Sequence, residues 1–149
     1  MRTSDLARAY FAKAEADLRD AERALRDGSH STCVFFCQQA VEKALKSILA
    51  AEGVETRTRH VSKVVMAHLD RFEKLGGPLL RVLRRASEVS EMLEPHVGRA
   101  RYPWREGTKV MSPEEYYTKE IAERFLCKAR KAMEDCRRVL EAYLGGPGP

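Results

Sequence analysis

The chain has 149 residues, 33% of them charged and 44% hydrophobic, enough for one core that hides roughly 68–70% of the unfolded chain's surface and too apolar for a disordered segment. Its formal charge of +5 allows a nucleic-acid partner without demanding one. The opening MRTSDLARAYFAKAEADL carries charges every few positions and has no uninterrupted apolar stretch of the kind a signal peptide or membrane span needs, which leads us to expect a cytoplasmic protein.

Helical periodicity runs through the whole sequence and no period-two alternation is long enough for a strand, so the expected fold class is all-α. Thr3 or Ser4 can cap a first helix to about Asp27, with Leu6, Tyr10, Ala14, Leu18, Ala21 and Leu25 on one face and Gly28 as its stop. A short turn at Ser31 makes the second helix its antiparallel neighbour. That helix, about 32 to 52, carries the clearest apolar stripe, Cys33, Phe36, Cys37, Ala40, Val41, Ala44, Leu45, Ile48 and Leu49. Its opposite face holds Gln38, Gln39, Glu42, Lys43 and Lys46, read as a solvated side, a dimer seam or part of a basic groove. Cys33 and Cys37 read as buried thiols, because no cysteine pair has the spacing of a metal knuckle.

A third helix is expected over about 61 to 75, ending at Gly76–Gly77, with His68 inward and His60 placed to cap it or to help hold a phosphate there. Pro78 suits the first turn of a fourth helix, which Pro95 ends. Residues 95 to 111 read as a loop, long for a compact domain and so a candidate for function. In the stretch SPEE, Ser112 caps, Pro113 opens and Glu115 completes the box of a last helix of about thirty residues. The apolar side of that helix holds Tyr117, Ile121, Phe125, Ala129, Met133, Cys136, Leu140 and Tyr143. One domain over 1–144 and a frayed tail at 145–149 complete the expectation.

The loop contains RARYPW at 99 to 104, with Arg105 behind it. Arginine forks suit phosphate, tyrosine and tryptophan offer stacking faces for a base, and proline holds the segment extended. The same residues also suit a bundle corner whose rings cover the core end, and both readings stand at this point. Candidate ligand-binding residues are Arg99, Arg101, Tyr102 and Trp104, with Lys43, Lys46 and Gln39 as extensions and Trp104 expected to be more exposed than Tyr102. His96 is the one candidate for a general acid or base. Arg81, Arg84 and Arg85 crowd the same interval of the chain, between Gly77 and Gly107. No phosphate-cradling glycine loop, serine elbow, metal helix or magnesium-binding aspartate cluster occurs, so no cofactor or metal is expected.

The stretch FFCQQAVEKALKSIL after DLRDAERAL, with Arg59 and His60 ahead of an apolar helix, resembles the HEPN domain family of small prokaryotic helical proteins. Arg101 and Tyr102 before the long last helix are a second match, and the similarity spans about Ala7 to Tyr143. The resemblance implies an up-and-down bundle of four long helices plus one short helix, usually a homodimer. It also implies nucleotide or RNA binding and pairing with a small nucleotidyltransferase as toxin and antitoxin. Several branches of the family are metal-independent ribonucleases that use an arginine followed four to six residues later by histidine. Here no histidine follows His96, so Arg99, Arg101 and Arg124 lack that partner, while Arg23 and His30 lie at the first turn. A binding module is therefore the first reading. A divergent metal-independent ribonuclease and a non-catalytic dimerisation adaptor, joined through the polar face of the second helix, are the alternatives.

Overall fold

The computed structural model describes residues 2–145, so the expected tail lies, but for Gly145, outside the described residues. Four long helices, α1 (Thr3–Arg26), α2 (His30–Ala51), α4 (Gly77–Leu93) and α7 (Lys119–Tyr143), form an all-α bundle. Three shorter ones join them: α3 (Val61–Ala67), α5 (His96–Arg99) and α6 (Pro113–Tyr116). A 3-10 turn at Leu69–Leu75 follows α3. A small hairpin of β1 (Trp104–Glu106) and β2 (Lys109–Met111) lies between α5 and α6.

α1 buries small residues at seven-residue spacing, Ala7, Ala14 and Ala21. Side chains of that size let a neighbouring helix lie close. Gly28, at φ +76°, turns the chain so that Ser29 N–H donates to the Ala24 carbonyl at 2.8 Å, and α2 returns antiparallel along that stripe. α2 is the axis of the bundle. Leu45, Ile48 and Leu49 are fully buried on it, each contributing roughly 1.5–3 kcal/mol relative to an exposed side chain.

Cys33 lies 4.0 Å from the Ala122 carbonyl and the Tyr143 hydroxyl donates to Glu52, so α7 runs parallel to α2. Ion pairs from Arg130 to Glu22 (2.8 Å) and Arg137 to Glu15 (2.9 Å) join α7 antiparallel to α1. On its other side Arg85 forks onto Asp135 at 2.8 and 2.9 Å, and His96, just past the end of α4, packs on Phe125, so α7 runs antiparallel to α4. Among the described residues no helix is long and apolar enough to cross a membrane.

Several elements depart from the sequence reading. The N-cap of α1 is Arg2, without a side-chain cap bond, so neither Thr3 nor Ser4 serves. The third helix divides at His68, whose N–H is shared between the Val64 and Val65 carbonyls at 3.1 Å, marking the tightening to 3-10 geometry. His60 makes no side-chain cap bond to α3. The carboxylate of Glu94 does that work instead, accepting from Ser62 N–H at 3.1 Å, Ser62 Oγ at 2.8 Å and Ser90 Oγ at 2.6 Å. Ser112 caps as expected, accepting from Glu115 N–H at 3.2 Å. The helix it opens lasts one turn, because Tyr117 is extended (φ −88°, ψ 101°) and Thr118 caps a new helix through Ile121 N–H at 3.2 Å. Residues 95 to 111 are ordered into α5 and the hairpin rather than a bare loop.

Candidate nucleic-acid interface

Pro95 opens α5, whose single turn sets His96 and Arg99 three residues apart on one side. Ala100 anchors the end of α5 in the core, and Tyr102 N–H returns to the Gly98 carbonyl at 2.9 Å. The chain then extends through Pro103 into β1, where Trp104 pairs with Met111, Arg105 with Val110 and Glu106 with Lys109. Gly107, at φ +61°, takes the first place of the two-residue turn, a position that favours glycine. The hairpin thereby lays the Trp104 ring on Tyr116, edge to face at 5.4 Å.

From there the rings continue inward. Tyr116 meets Tyr117 at 4.9 Å, and His96 lies 5.8 Å from Tyr117 and 4.8 Å from Phe125, each contact edge to face. Tyr117 is 1% exposed, and its hydroxyl shares a 2.8 Å hydrogen bond with His96 Nδ1. This aromatic ladder fixes the corner against the bundle end, the geometry in which edge-to-face pairs add about 0.5–1.5 kcal/mol each beyond burial. Trp104 is therefore half-buried while Tyr102 is 59% exposed, the reverse of the expected order, because the hairpin was not part of the expectation.

The arginines stand on the ladder's outer side. The Arg99 guanidinium lies 5.7 Å over Trp104, and that of Arg101 lies between Phe35 (5.0 Å) and Tyr102 (5.3 Å). Among the described residues no ion pair engages Arg99, Arg101 or Arg105. Glu106, next to Arg105 in the chain, accepts instead from the Trp104 indole at 3.2 Å. Stacking holds two guanidinium groups in place while leaving their donors unspent, so little ordering remains for a phosphate to impose. Burial, and then the charge of Arg99, lowers the His96 pKa below its ordinary 6.5. The imidazole is thus neutral near pH 7 and able to accept a proton beside an arginine. Burial pushes the Tyr117 phenol well above its ordinary range, so it remains a protonated partner for His96.

Lys43, Lys46 and Gln39 are placed differently. Lys43 Nζ lies 2.6 Å from Asp17 and 3.0 Å from the Gln39 amide oxygen, and Lys46 lies 3.1 Å from Glu42. Gln39 donates to Gln38 at 2.7 Å and Gln38 to Glu42 at 3.0 Å. Gln38 is 1% and Glu42 8% exposed. The polar face of α2 is thus knit together by its own hydrogen bonds and ion pairs, with Gln38 and Glu42 buried and Gln39, Lys43 and Lys46 half-buried along its edge. Phe35, one turn before Gln39 on that helix, is where the network's face meets Arg101.

The family model for the HEPN domain matches residues 7–139. The chain belongs to the HEPN domain family. It is 32% identical over 139 residues to the Methanocaldococcus jannaschii protein called Putative toxin MJ1304, covering 93% of this chain and 91% of that one. Among solved structures, TT1696 from Thermus thermophilus is similar at 25% identity and a TM-score of 0.70, covering 89% of this chain and 97% of that chain. ST0689, described as an archaeal HEPN homologue, is similar at 26% identity and a TM-score of 0.54, with 97% of each chain covered.

Within this HEPN bundle, the structure gathers His96, Arg99, Arg101, Tyr102 and Trp104 into one corner and places Lys43, Lys46 and Gln39 in the half-buried polar network of α2. Sequence reasoning did not find Phe35, Tyr116, Tyr117 and Phe125 as the corner's supports. Tyr117 and Phe125 were assigned only to the apolar side of a continuous helix, whose break lies between Tyr116 and Lys119. Among the described residues no group of three or more histidine, cysteine or acidic side chains could hold a metal ion.

Proposed function

We propose that this HEPN protein is a toxin-type component of a two-protein module and that it binds RNA or a nucleotide through Arg99, Arg101, Tyr102 and Trp104. The observation that carries the reading is the pair of stacked arginines without acidic partners, beside an exposed tyrosine ring. Forked cations next to a free aromatic face meet the two needs of a nucleotide, charge for phosphate and stacking for the base. The name of the M. jannaschii relative supports a toxin role. The family resemblance supports a small nucleotidyltransferase as neutralising partner and a homodimer.

Arg101→Ala tests the site. Anisotropy of a labelled short RNA is expected to report at least tenfold weaker binding, with an unchanged circular dichroism melt. Unchanged binding removes the arginine from the site, and a lost melt makes it a structural residue.

A further inference from the structure

The arginines at 81 to 85 find no role in the corner, and their surroundings on the folded chain give them one. α4 contributes Arg85 and Val89 to the groove it forms with α7, and Arg81 stands one turn before Arg85 on the same helix. α7 lines the groove with Lys128 and Lys131, and Arg124 and Arg138, four residues before and seven after them, extend the same flank of the helix. All six are exposed. The groove has a volume of about 520 Å³, with Val89 as the one apolar side chain lining it.

Two carboxylates reach this groove, and both are engaged. Asp135 is held in the fork of Arg85, and Glu134 lies 2.9 Å from Arg137, a side chain tied in turn to Glu15 of α1. Among the described residues no ion pair occupies Arg81, Arg124, Lys128, Lys131 or Arg138. From Arg124 to Arg138 the helix rises about 21 Å at 1.5 Å per residue. The Arg124 end of this flank is the one nearer the arginine–aromatic corner, because Phe125, the next residue, packs on His96, three residues from Arg99.

We infer that the groove between α4 and α7 is a phosphate track that carries a single-stranded RNA onward from the corner, a deepening that rests on the proposed RNA reading. A row of free cations fits a repeating backbone charge. A protein partner would need an apolar centre depleted in lysine, and this groove offers lysines around one valine. A single strand suits the pair of sites because its bases can leave the track and stack on Tyr102.

The experiment compares labelled oligouridylates of about 4 and 15 nucleotides, by anisotropy over a range of salt, on the wild type and on Lys128→Gln/Lys131→Gln. The track predicts that the wild type binds the longer strand more tightly. It predicts that the double variant loses about tenfold of that gain with the short strand unaffected. Its salt slope is expected to fall by about 1.4, since each single-strand phosphate contact contributes about 0.7. A length gain that survives in the variant overturns the track, as does a wild type that binds both lengths alike, and either leaves the corner standing. Wild-type protein that binds neither strand overturns both readings. Loss of poly-glutamate binding in the variant, with RNA binding kept, reassigns the groove to an acidic protein.

Discussion

Glu42→Ala examines the buried polar face of α2. The Glu42 carboxylate, 8% exposed, accepts from Gln38 at 3.0 Å and from Lys46 at 3.1 Å, and the Lys46 side chain is only 11% exposed. Truncation leaves an ammonium uncompensated inside the chain, a loss of about 3–5 kcal/mol for a buried pair broken on one side. The unpaired Gln38 amide adds to the cost, and the reach of the lysine stem toward water offsets part of it. Against a total stability of about 5–15 kcal/mol, the expected consequence is a melting temperature lower by roughly 6–20 °C, at about 2–4 °C per kcal/mol for a domain of this size. Urea unfolding followed by circular dichroism at 222 nm measures it, with an unchanged slope on denaturant. Glu42→Gln/Lys46→Met removes both charges while keeping an acceptor for Gln38, and is expected to recover most of the loss. A cost below about 1 kcal/mol for Glu42→Ala, the range of exposed pairs, would refute burial of this network.

Glu94→Ala leaves the Ser62 N–H and the Ser62 and Ser90 hydroxyls without their shared acceptor. A loss of about 3 kcal/mol is expected in the same unfolding assay, at roughly 1–3 kcal/mol per buried unpaired group and less than additive; a neutral result would contradict the assigned cap of α3. For His96, whose folded pKa is lowered, the unfolded chain takes up the proton first as pH falls through about 6.5. Stability therefore declines from there toward the lower folded pKa. Melts between pH 7 and 5 should fall less steeply for His96→Asn than for the wild type, and equal slopes would contradict the burial of the ring.

The apolar stripes of α2 and α7 were legible because helical spacing alone sorts Cys33, Leu45 and Ile48, or Ala129, Met133 and Cys136, onto a core face. Position in the bundle was not. Gln38 and Glu42 have the residue types of a solvated face, and they are buried because neighbouring helices cover that side of α2, a fact of tertiary packing. The break at Tyr117 accompanies its bond to His96, a contact twenty-one residues away in sequence that no local pattern reveals. The hairpin did leave a local signal, Gly107–Thr108 between WRE and KVM, the glycine-first pair of a two-residue turn. Strands of three residues are too short for alternation to reveal. Within the site, the arginine and aromatic composition was readable, while the support of Trp104 by Tyr116 depended on that unseen turn.

The central claim, that the corner receives a phosphate-bearing ligand, is tested most directly through Trp104, the chain's single tryptophan, with Arg99 5.7 Å over its ring. Purified protein is titrated with mononucleotides and short RNA while indole emission is followed at low and moderate salt. The account predicts a saturable change that weakens as salt rises. A flat trace with every ligand would contradict it and leave the stacked arginines as a structural cover for the bundle end.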